Sequence, residues 1–298
     1  MTAQAFDLTE QLQTPVIVMT DLDLGMNDHV TEPLVWDDTR EYKRGKVLTA
    51  EQLDFIYKVT TNGNGSRGEL EDVARENGFD RADAVLSEAD AQPLGDQNLT
   101  QPLEQFKGKW GRYLDIDGDG IPYRTIPGTH ATRGAFVTRG SSRDEYAVYT
   151  EDADVYQRFV DRLARKWDTA KELVPEPEFY RSRAAFGPPE KSVAAPFGVI
   201  FFGTSTDSAL EALELLAEEG IYLDAMRPRA FPFGKAFRDF VDAHERIFVI
   251  EQNRDAQFRS LMMIELEVDA VKLVSVLNYD GMPITADNIL RQIKRASI

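Results

Sequence analysis

The chain contains no cysteine among its 298 residues. Disulfides, thiolate nucleophiles, zinc–cysteine sites and cysteine-ligated iron–sulfur clusters are therefore excluded within this polypeptide. Long apolar runs are also missing, since no stretch approaches the roughly 18 residues that a membrane-spanning helix needs. Residues 1–13 lack the basic start and apolar core of a signal peptide, so we expect a cytoplasmic protein.

Basic residues are few, with 34 Lys and Arg against 51 Asp and Glu and a formal net charge of −17. This balance argues against nucleic acid or an anionic membrane as a partner, because their phosphates would be repelled. Histidine is sparse as well, and His29, His130 and His244 share no metal-ligand spacing. His244 lies at the C-terminus of a predicted helix, where a cation is favoured, so a structural role is expected. No nucleophile is recognisably paired with a base, and the residues alone predict no complete catalytic constellation.

Short apolar strands alternate with amphipathic helices from residue 196 to residue 298. The first strand is apolar on both faces, and Leu210, Leu213 and Leu216 recur on one face of the helix that follows. Such alternation implies parallel strands joined by crossovers, so we predict one compact α/β domain with at least four strands. The predicted strands are 197–202, 221–226, 246–250 and 272–277, and the predicted helices are 209–216, 233–244, 256–266 and 286–293.

The sequence upstream of residue 196 predicts scattered helices and strands, followed by a linker at 179–195. Residues 3–12 read as a helix, with Phe6, Leu8 and Leu12 partly on one side. The apolar residues 16–19 read as a buried strand without an obvious partner in the next hundred residues, so we expect its sheet to be supplied elsewhere. The next strand candidate, residues 135–138, could join it. Three further elements are a capping box at Thr49-x-x-Gln52, a helix at 69–77, and a helix at 151–167 whose apolar face is Val155, Phe159, Leu163 and Trp167. Trp36 is expected to anchor the irregular stretch 21–44, and 87–105 to be a surface loop.

Three motifs admit both a functional and a plain interpretation. Asp-Ile-Asp-Gly-Asp-Gly at 115–120 resembles the opening of an EF-hand loop, but Ile126 stands at the twelfth position and Pro122 interrupts it, which favours an acidic turn over calcium. In the turn at 203–207, Thr204 with Asp207 favours a helix cap over a phosphate loop. The polar cluster 251–257 follows the third strand, at the edge where parallel sheets place ligands and partners. A plain strand-to-helix turn is the alternative for that cluster.

Several collinear segments resemble one family, the alpha subunit of 2-oxoacid:ferredoxin oxidoreductases, particularly the 2-oxoglutarate type. The segments are 14–27, 42–48, 115–130, 138–140, 144–146, 149–152, 229–233, 251–257 and 279–281. The resemblance leaves out roughly 59–105, which looks like an insertion. It implies that residues 1–178 are the C-terminal part of the pyrimidine-side thiamine-diphosphate domain, and that 196–298 form a transketolase-C-terminal-like α/β domain.

The resemblance also implies a reaction and a division of labour between subunits. Such enzymes decarboxylate a 2-oxoacid with thiamine diphosphate and magnesium, pass electrons through an iron–sulfur cluster to ferredoxin, and form an acyl-CoA. The diphosphate site and the cluster cysteines belong to the beta subunit, so no cofactor is expected on this chain alone. CoA would be the co-substrate, and the beta subunit and ferredoxin the partners.

One difference between this sequence and the family limits which residue roles can be transferred. The family's Tyr-Pro-Ile-Thr-Pro and Gly-Pro-Ser-Thr-Gly segments, and the glutamate that activates the cofactor, precede the strand equivalent to 16–19 and are not in this sequence. We therefore expect the back portion of an alpha subunit, as a fragment or as one piece of a split subunit beside a separate upstream piece. No catalytic residue is transferred, and Arg139, Asn253 and Arg254 are only contact candidates. The identity of the 2-oxoacid stays open, and the alternative function is a free-standing interaction or scaffold protein.

Overall fold

The computed structural model describes residues 1–61 except 27, 29, 34, 36 and 38, residues 110–180 except 139 and 141, and residues 195–297. The predictions for Trp36, for the helix at 69–77 and for the loop at 87–105 lie outside these ranges. The chain divides into two compact units. Unit 1 comprises Met1–Val16 and Glu41–Thr169, and unit 2 comprises Ile17–Arg40 and Ala170–Ile298.

Unit 2 is built on a five-stranded sheet with the order β1-β3-β2-β4-β5. Its strands are β1 (Glu178–Tyr180), β2 (Phe197–Ile200), β3 (Asp224–Arg227), β4 (Arg246–Glu251) and β5 (Leu273–Leu277). β2 to β5 pair in parallel, with Val199 opposite both Ala225 and Phe248, whereas β1 pairs antiparallel with β3. The mostly parallel α/β sheet predicted from the alternating pattern is therefore confirmed.

Helices cover both faces of this sheet, because alternate strand residues point to opposite sides. In β4, Phe248 and Ile250 belong to one core cluster, and Ile247 and Val249 to the other. Each fully buried side chain of this size contributes about 1.5–3 kcal/mol of transfer free energy. The first cluster holds residues of α5 (Ser205–Glu218) and α8 (Ala286–Ser297), and the second holds residues of α6 (Lys235–Ala243) and α7 (Gln257–Leu266). All four predicted strand–helix cycles are present.

Unit 1 has a smaller core, formed by Leu48, Leu53, Ile56 and Tyr123. Its helices are α1 (Thr2–Leu12), α3 (Ala50–Thr61) and most of α4 (Ala153–Leu173), and α2 (Leu22–Met26) belongs to unit 2. The predicted capping box at the start of α3 is confirmed. The Thr49 amide donates to Gln52 Oε1 at 2.9 Å, and the Gln52 amide donates to Thr49 Oγ1 at 3.3 Å. In α1, Leu8 and Leu12 are buried as expected, but Phe6 is exposed.

Two predicted strands are wrong. Residues 16–19 form no strand, and the side chains of Ile17 and Met19 are 83% and 86% exposed. Residues 135–138 form no strand either, and Val137 is exposed. The physical reason is the same for both: an apolar extended segment becomes a strand only when another strand satisfies its backbone groups, and none of the described residues does so.

The long helix α4 also differs from its prediction. It is longer than expected, and Asp152 Oδ1 accepts a hydrogen bond from the Val155 amide at 2.9 Å at its start. Of the predicted apolar face, Leu163 and Trp167 are each 42% exposed, whereas Arg162 is buried. In the described ranges, none of the helices combines the length and apolar character that crossing a membrane requires.

Candidate functional site

The carboxyl edge of the parallel sheet carries a buried carboxylate at the end of β4. Glu251 is 1% exposed, and its oxygens accept hydrogen bonds from the amides of Phe258 at 2.7 Å and Arg259 at 3.0 Å. Asn253 Nδ2 donates to the same carboxylate at 2.8 Å. Glu251 therefore satisfies the free amides at the start of α7, where negative charge is favoured. The Glu251 carboxylate thereby holds the turn between β4 and α7 in place.

Gln252 connects the turn after β2 to the segment after β5. Its Nε2 donates to Thr204 Oγ1 at 2.8 Å, and its Oε1 accepts from the Ile284 amide at 3.0 Å. Beyond β5, the buried Asn278 donates to Asp280 and to the carbonyl of Met282, at 3.0 and 2.7 Å. These bonds hold three strand ends in one rigid polar surface.

Asp21 reaches the same edge from the 17–40 segment. Its carboxylate accepts from the amide and hydroxyl of Thr204, both at 3.0 Å, and from the Leu24 amide at 2.8 Å. Burial raises the pKa of Asp21, but the hydrogen bonds from Leu24 and Thr204 outweigh it, so the pKa lies below its ordinary value. Gly203 has a φ of +62°, and a Cβ there would lie 2.8 Å from Asp21 Oδ2. The turn is shaped to admit this carboxylate.

The structure corrects the prediction that the Thr204 side chain caps a helix. Thr204 stands at the N-cap position of α5, but its side chain makes no capping hydrogen bond. The hydroxyl is engaged by Asp21 and Gln252 instead, because two tertiary partners converge on it. Asp21 was missed by sequence reasoning, since nothing local links it to a residue 183 positions later.

The sequence-predicted contact residues fall in different environments. Asn253 Oδ1 accepts from the amides of Asp255 and Gln257, so its side chain shapes the turn. Arg254 is exposed and donates to Asp255, whose carboxylate raises the pKa of the guanidinium. Arg139 lies outside the described residues. Tyr279 is exposed too, so this edge presents a guanidinium and an aromatic ring on a rigid base.

The 17–40 segment next to this edge exposes many large apolar side chains between acidic residues. Its exposed large apolar side chains, within the described residues, are Ile17, Val18, Met19, Leu22, Leu24, Met26, Val30 and Val35. The Asp21 anchor holds this surface to unit 2.

The ammonium group of Lys46 reaches into the acidic loop at 115–120. Lys46 Nζ lies 2.6 Å from Asp117 Oδ2 and 2.7 Å from Asp119 Oδ2. Asp115 accepts from the amides of Gly118 and Gly120, which closes the turn. The ammonium thus stands between carboxylates that a calcium ion would need, and the acidic-turn interpretation agrees with this arrangement.

The described histidines serve structural roles. His244 is buried at the C-terminus of α6, as the sequence indicates, with Nδ1 2.7 Å from the Phe240 carbonyl. His130 Nδ1 accepts from the amides of Thr132 and Arg133, which leaves Nε2 to donate to Asp54 at 3.2 Å. His29 falls outside the described ranges.

The donor set does not fit thiamine diphosphate with magnesium. No group of three or more His, Asp or Glu side chains is arranged to hold a metal ion, as far as the structure describes the chain. At the sheet edge, Glu251 and Asp21 already accept amide hydrogen bonds that a metal would have to displace.

The fold and the edge together define an α/β protein whose mostly parallel sheet ends in a rigid polar surface beside an apolar segment. No family model matches the chain. It is similar to 2-oxoacid:ferredoxin oxidoreductase 2, subunit alpha, of Aeropyrum pernix, with 26% identity over 186 residues, or 62% of this chain and 27% of that protein. It is also similar to the 2-oxoacid:ferredoxin oxidoreductase subunit alpha of Saccharolobus solfataricus, with 26% identity over 158 residues, or 52% of this chain and 23% of that protein.

These relatives confirm the resemblance to alpha subunits that the sequence predicts. The chain spans about a quarter of the length of the curated relatives it matches. Among solved structures, it is similar to a 2-oxoglutarate:ferredoxin oxidoreductase from Magnetococcus marinus with 2-oxoglutarate, coenzyme A and succinyl-CoA bound. The TM-score is 0.52 at 20% identity, over 63% of this chain and 31% of that chain, a likeness that bears on the fold.

Proposed function

We propose that this chain works as an alpha-subunit portion of a 2-oxoglutarate:ferredoxin oxidoreductase in the cytoplasm. The complex would decarboxylate the 2-oxoacid oxidatively, form the acyl-CoA and pass the electrons to ferredoxin. The observation that carries the proposal is the similarity to two curated alpha subunits over 62% and 52% of the chain. The 2-oxoglutarate type is supported by the motifs in the sequence and by the 2-oxoglutarate bound in the Magnetococcus marinus structure.

The isolated chain is proposed to be inactive, with the cofactors held mainly by a partner. Thiamine diphosphate with magnesium, and an iron–sulfur cluster, would sit mainly on the beta subunit. This division agrees with the absence of cysteine from the sequence and with the engagement of Glu251 and Asp21 in amide hydrogen bonds. In domain terms, residues 1–178 belong to the pyrimidine-side thiamine domain with an insertion near 59–105, 179–195 to a linker, and 196–298 to the transketolase-C-terminal-like domain.

The contact surface for the partner is proposed on unit 2. The exposed apolar side chains of the 17–40 segment supply the buried centre of such an interface, and the polar sheet edge supplies its rim. Arg254 lies on that rim, and Asn253 fixes the turn that carries it. Arg139 remains a contact candidate from the sequence.

The proposal is tested by coexpression with a cysteine-rich, thiamine-binding chain encoded beside it. We expect the two chains to copurify, and ferredoxin reduction dependent on 2-oxoglutarate and CoA to occur in the mixture only. Robust thiamine-dependent activity of the isolated chain would contradict its proposed inactivity. A monodisperse monomer that binds no such partner would instead favour the free-standing interaction or scaffold protein.

Variants of the 17–40 segment test the contact surface. Met19→Asp places a charge where the partner would bury an apolar side chain, and we expect about tenfold or greater weakening of association. Val271→Asp is the matched control, because Val271 is 82% exposed but lies outside this segment. Equal effects of the two substitutions in a binding titration would place the interface elsewhere.

A further inference from the structure

The 16–19 segment has the composition of a β-strand, although it forms no strand in this structure. Val16, Ile17 and Val18 are consecutive β-branched residues, which favour strands over helices. Pro15 precedes them, and proline is tolerated at the first position of a strand, where its missing N–H is not needed. The local sequence therefore favours a strand, and what the segment lacks among the described residues is a neighbouring strand.

The backbone of the 16–19 segment is open to such a neighbour. None of the described residues makes a backbone hydrogen bond to residues 16–19. A partner can bury this segment only if it supplies backbone donors and acceptors in return, because buried N–H and C=O groups must be paired. Another strand supplies both at regular spacing. The unpaired backbone therefore indicates the kind of surface that would cover the segment.

The side chains of the segment are apolar on both faces. Successive strand residues point to opposite sides, so Val16 and Val18 would share one face and Ile17 and Met19 the other. Ile17, Val18 and Met19 are all exposed in this structure. Strands that are apolar on both faces are typical of parallel sheets covered on both sides. The segment therefore fits a parallel sheet better than an antiparallel sheet with one face in water.

Asp21 fixes the end of the segment. Its carboxylate accepts hydrogen bonds from the Thr204 amide and hydroxyl, both at 3.0 Å, and α2 begins at the next residue. An end that is already ordered reduces the conformational entropy lost on binding. The segment is thus exposed for docking and restrained at a point two residues away.

The chain's own sheet has no long open edge for this segment. Its outer strands are β1 and β5, and β1 has only three residues. On β5, the Gln292 side chain bonds both the amide and the carbonyl of Leu277, at 3.1 and 3.0 Å. A second copy would also carry a net charge of −17, and like charges oppose association. The expected occupant is therefore a different chain.

We propose that residues 16–19 bind a partner chain by β-strand addition, entering a parallel sheet that has an open strand edge and two covered faces. Main-chain hydrogen bonds supply affinity in this mode of binding, and pockets for alternate side chains supply specificity. This mode of binding rests on the proposed function only in that the chain must be a subunit of a complex. It adds that the segment becomes a strand when the complex forms.

Hydrogen exchange of the backbone amides, followed by mass spectrometry, tests this inference. The samples are the full chain alone and the complex obtained by coexpression with the chains encoded beside it. In the chain alone, the amides of residues 16–19 should exchange at nearly the rate of an unstructured peptide. In the complex they should exchange about 100-fold more slowly or less, because the ladder bonds must open first.

Three results would overturn the inference: protection of these amides in the chain alone, a complex in which they stay unprotected, or no complex with any of the chains encoded beside it. In the second case the proposed function would stand, because the partner still binds. Protection by a partner that binds no thiamine diphosphate and has no cluster cysteines would support the inference and contradict the proposed function.

Proline variants separate strand addition from side-chain contact alone. Val18→Pro removes an amide donor but keeps an apolar side chain, and it should raise the Kd of the complex about tenfold or more. Val137→Pro is the matched control and should leave the Kd within about twofold. Val137 is likewise exposed and outside any helix or strand, but the neighbouring Phe136 packs against Trp110 at 5.7 Å.

Circular dichroism establishes that both proline variants are folded before the titration. A tenfold loss confined to Val18→Pro would support strand addition. Unchanged affinity of Val18→Pro, or an equal loss in Val137→Pro, would refute it.

Discussion

Replacement of Gly120 by alanine should destabilise unit 1 severely, because the acidic loop touches the backbone of α4 at this residue. A Cβ on Gly120 would lie 2.6 Å from the Arg162 carbonyl oxygen and well inside van der Waals contact of the Lys166 amide nitrogen. Two hydrogen bonds fasten the loop to the helix here: Arg162 Nη1 to the Gly120 carbonyl at 2.8 Å, and Thr169 Oγ1 to the Asp119 carbonyl at 2.7 Å.

The loss in the free energy of unfolding expected for Gly120→Ala has two parts. Gly120 has a φ of +80°, and a left-handed conformation costs a residue with a Cβ about 1–2 kcal/mol. Overpacking adds about 1–3 kcal/mol, since the obstructing atoms belong to a helix backbone and cannot rotate away. The expected loss in the free energy of unfolding is therefore about 2–5 kcal/mol.

Gly118→Ala is the matched control in the same loop. Gly118 has a φ of +76°, but nothing lies within 4 Å of its added Cβ, so only the conformational cost of about 1–2 kcal/mol applies. Urea unfolding followed by tryptophan fluorescence reports on this unit, because Trp110 donates to the Tyr123 carbonyl beside its core. If the two variants unfold within about 0.5 kcal/mol of each other, the close approach of loop and helix is refuted.

Three further perturbations test the other contacts. Asp21→Asn should free the 17–40 segment and speed its limited proteolysis. Partial burial raises the pKa of Asp21, but hydrogen bonds from Thr204 and the Leu24 amide lower it below its ordinary value. In the wild type, the anchoring should therefore hold at neutral pH and be lost only as the pH falls through that lowered pKa. A pH-independent cleavage rate would contradict this. Glu251→Gln presents an amide donor to the helix amides and should cost about 1–3 kcal/mol in urea unfolding, and an unchanged midpoint would argue against the capping role. Lys46→Met should lower the free energy of unfolding at low salt, and screening by added salt, or added calcium, should reduce this loss. Calorimetric titration of the wild type with calcium should give no heat. A heat signal from the wild type would show that calcium displaces Lys46.

Patterns within a few residues predicted much of unit 2 correctly. The alternation of apolar strands and amphipathic helices after residue 196 placed every strand and α-helix there to within a few residues, because a strand buried on both faces needs little beyond its own composition. The Thr49–Gln52 capping box was equally local, since both partners sit in one helical turn.

The amino-acid sequence by itself determined the parallel α/β core and the helix starts whose partners are neighbours in the chain. Only the tertiary structure decided that Thr204 bonds Asp21 rather than its own helix, that Arg162 rather than Trp167 is buried on α4, and that Lys46 lies in the acidic loop. The periodicity of a sequence predicts which side chains share a helix face. It does not predict which distant groups bind those side chains in the folded protein. A hydroxyl, a carboxylate or an ammonium bonds the partner that folding brings within about 3 Å, and that choice is made between residues far apart in the chain.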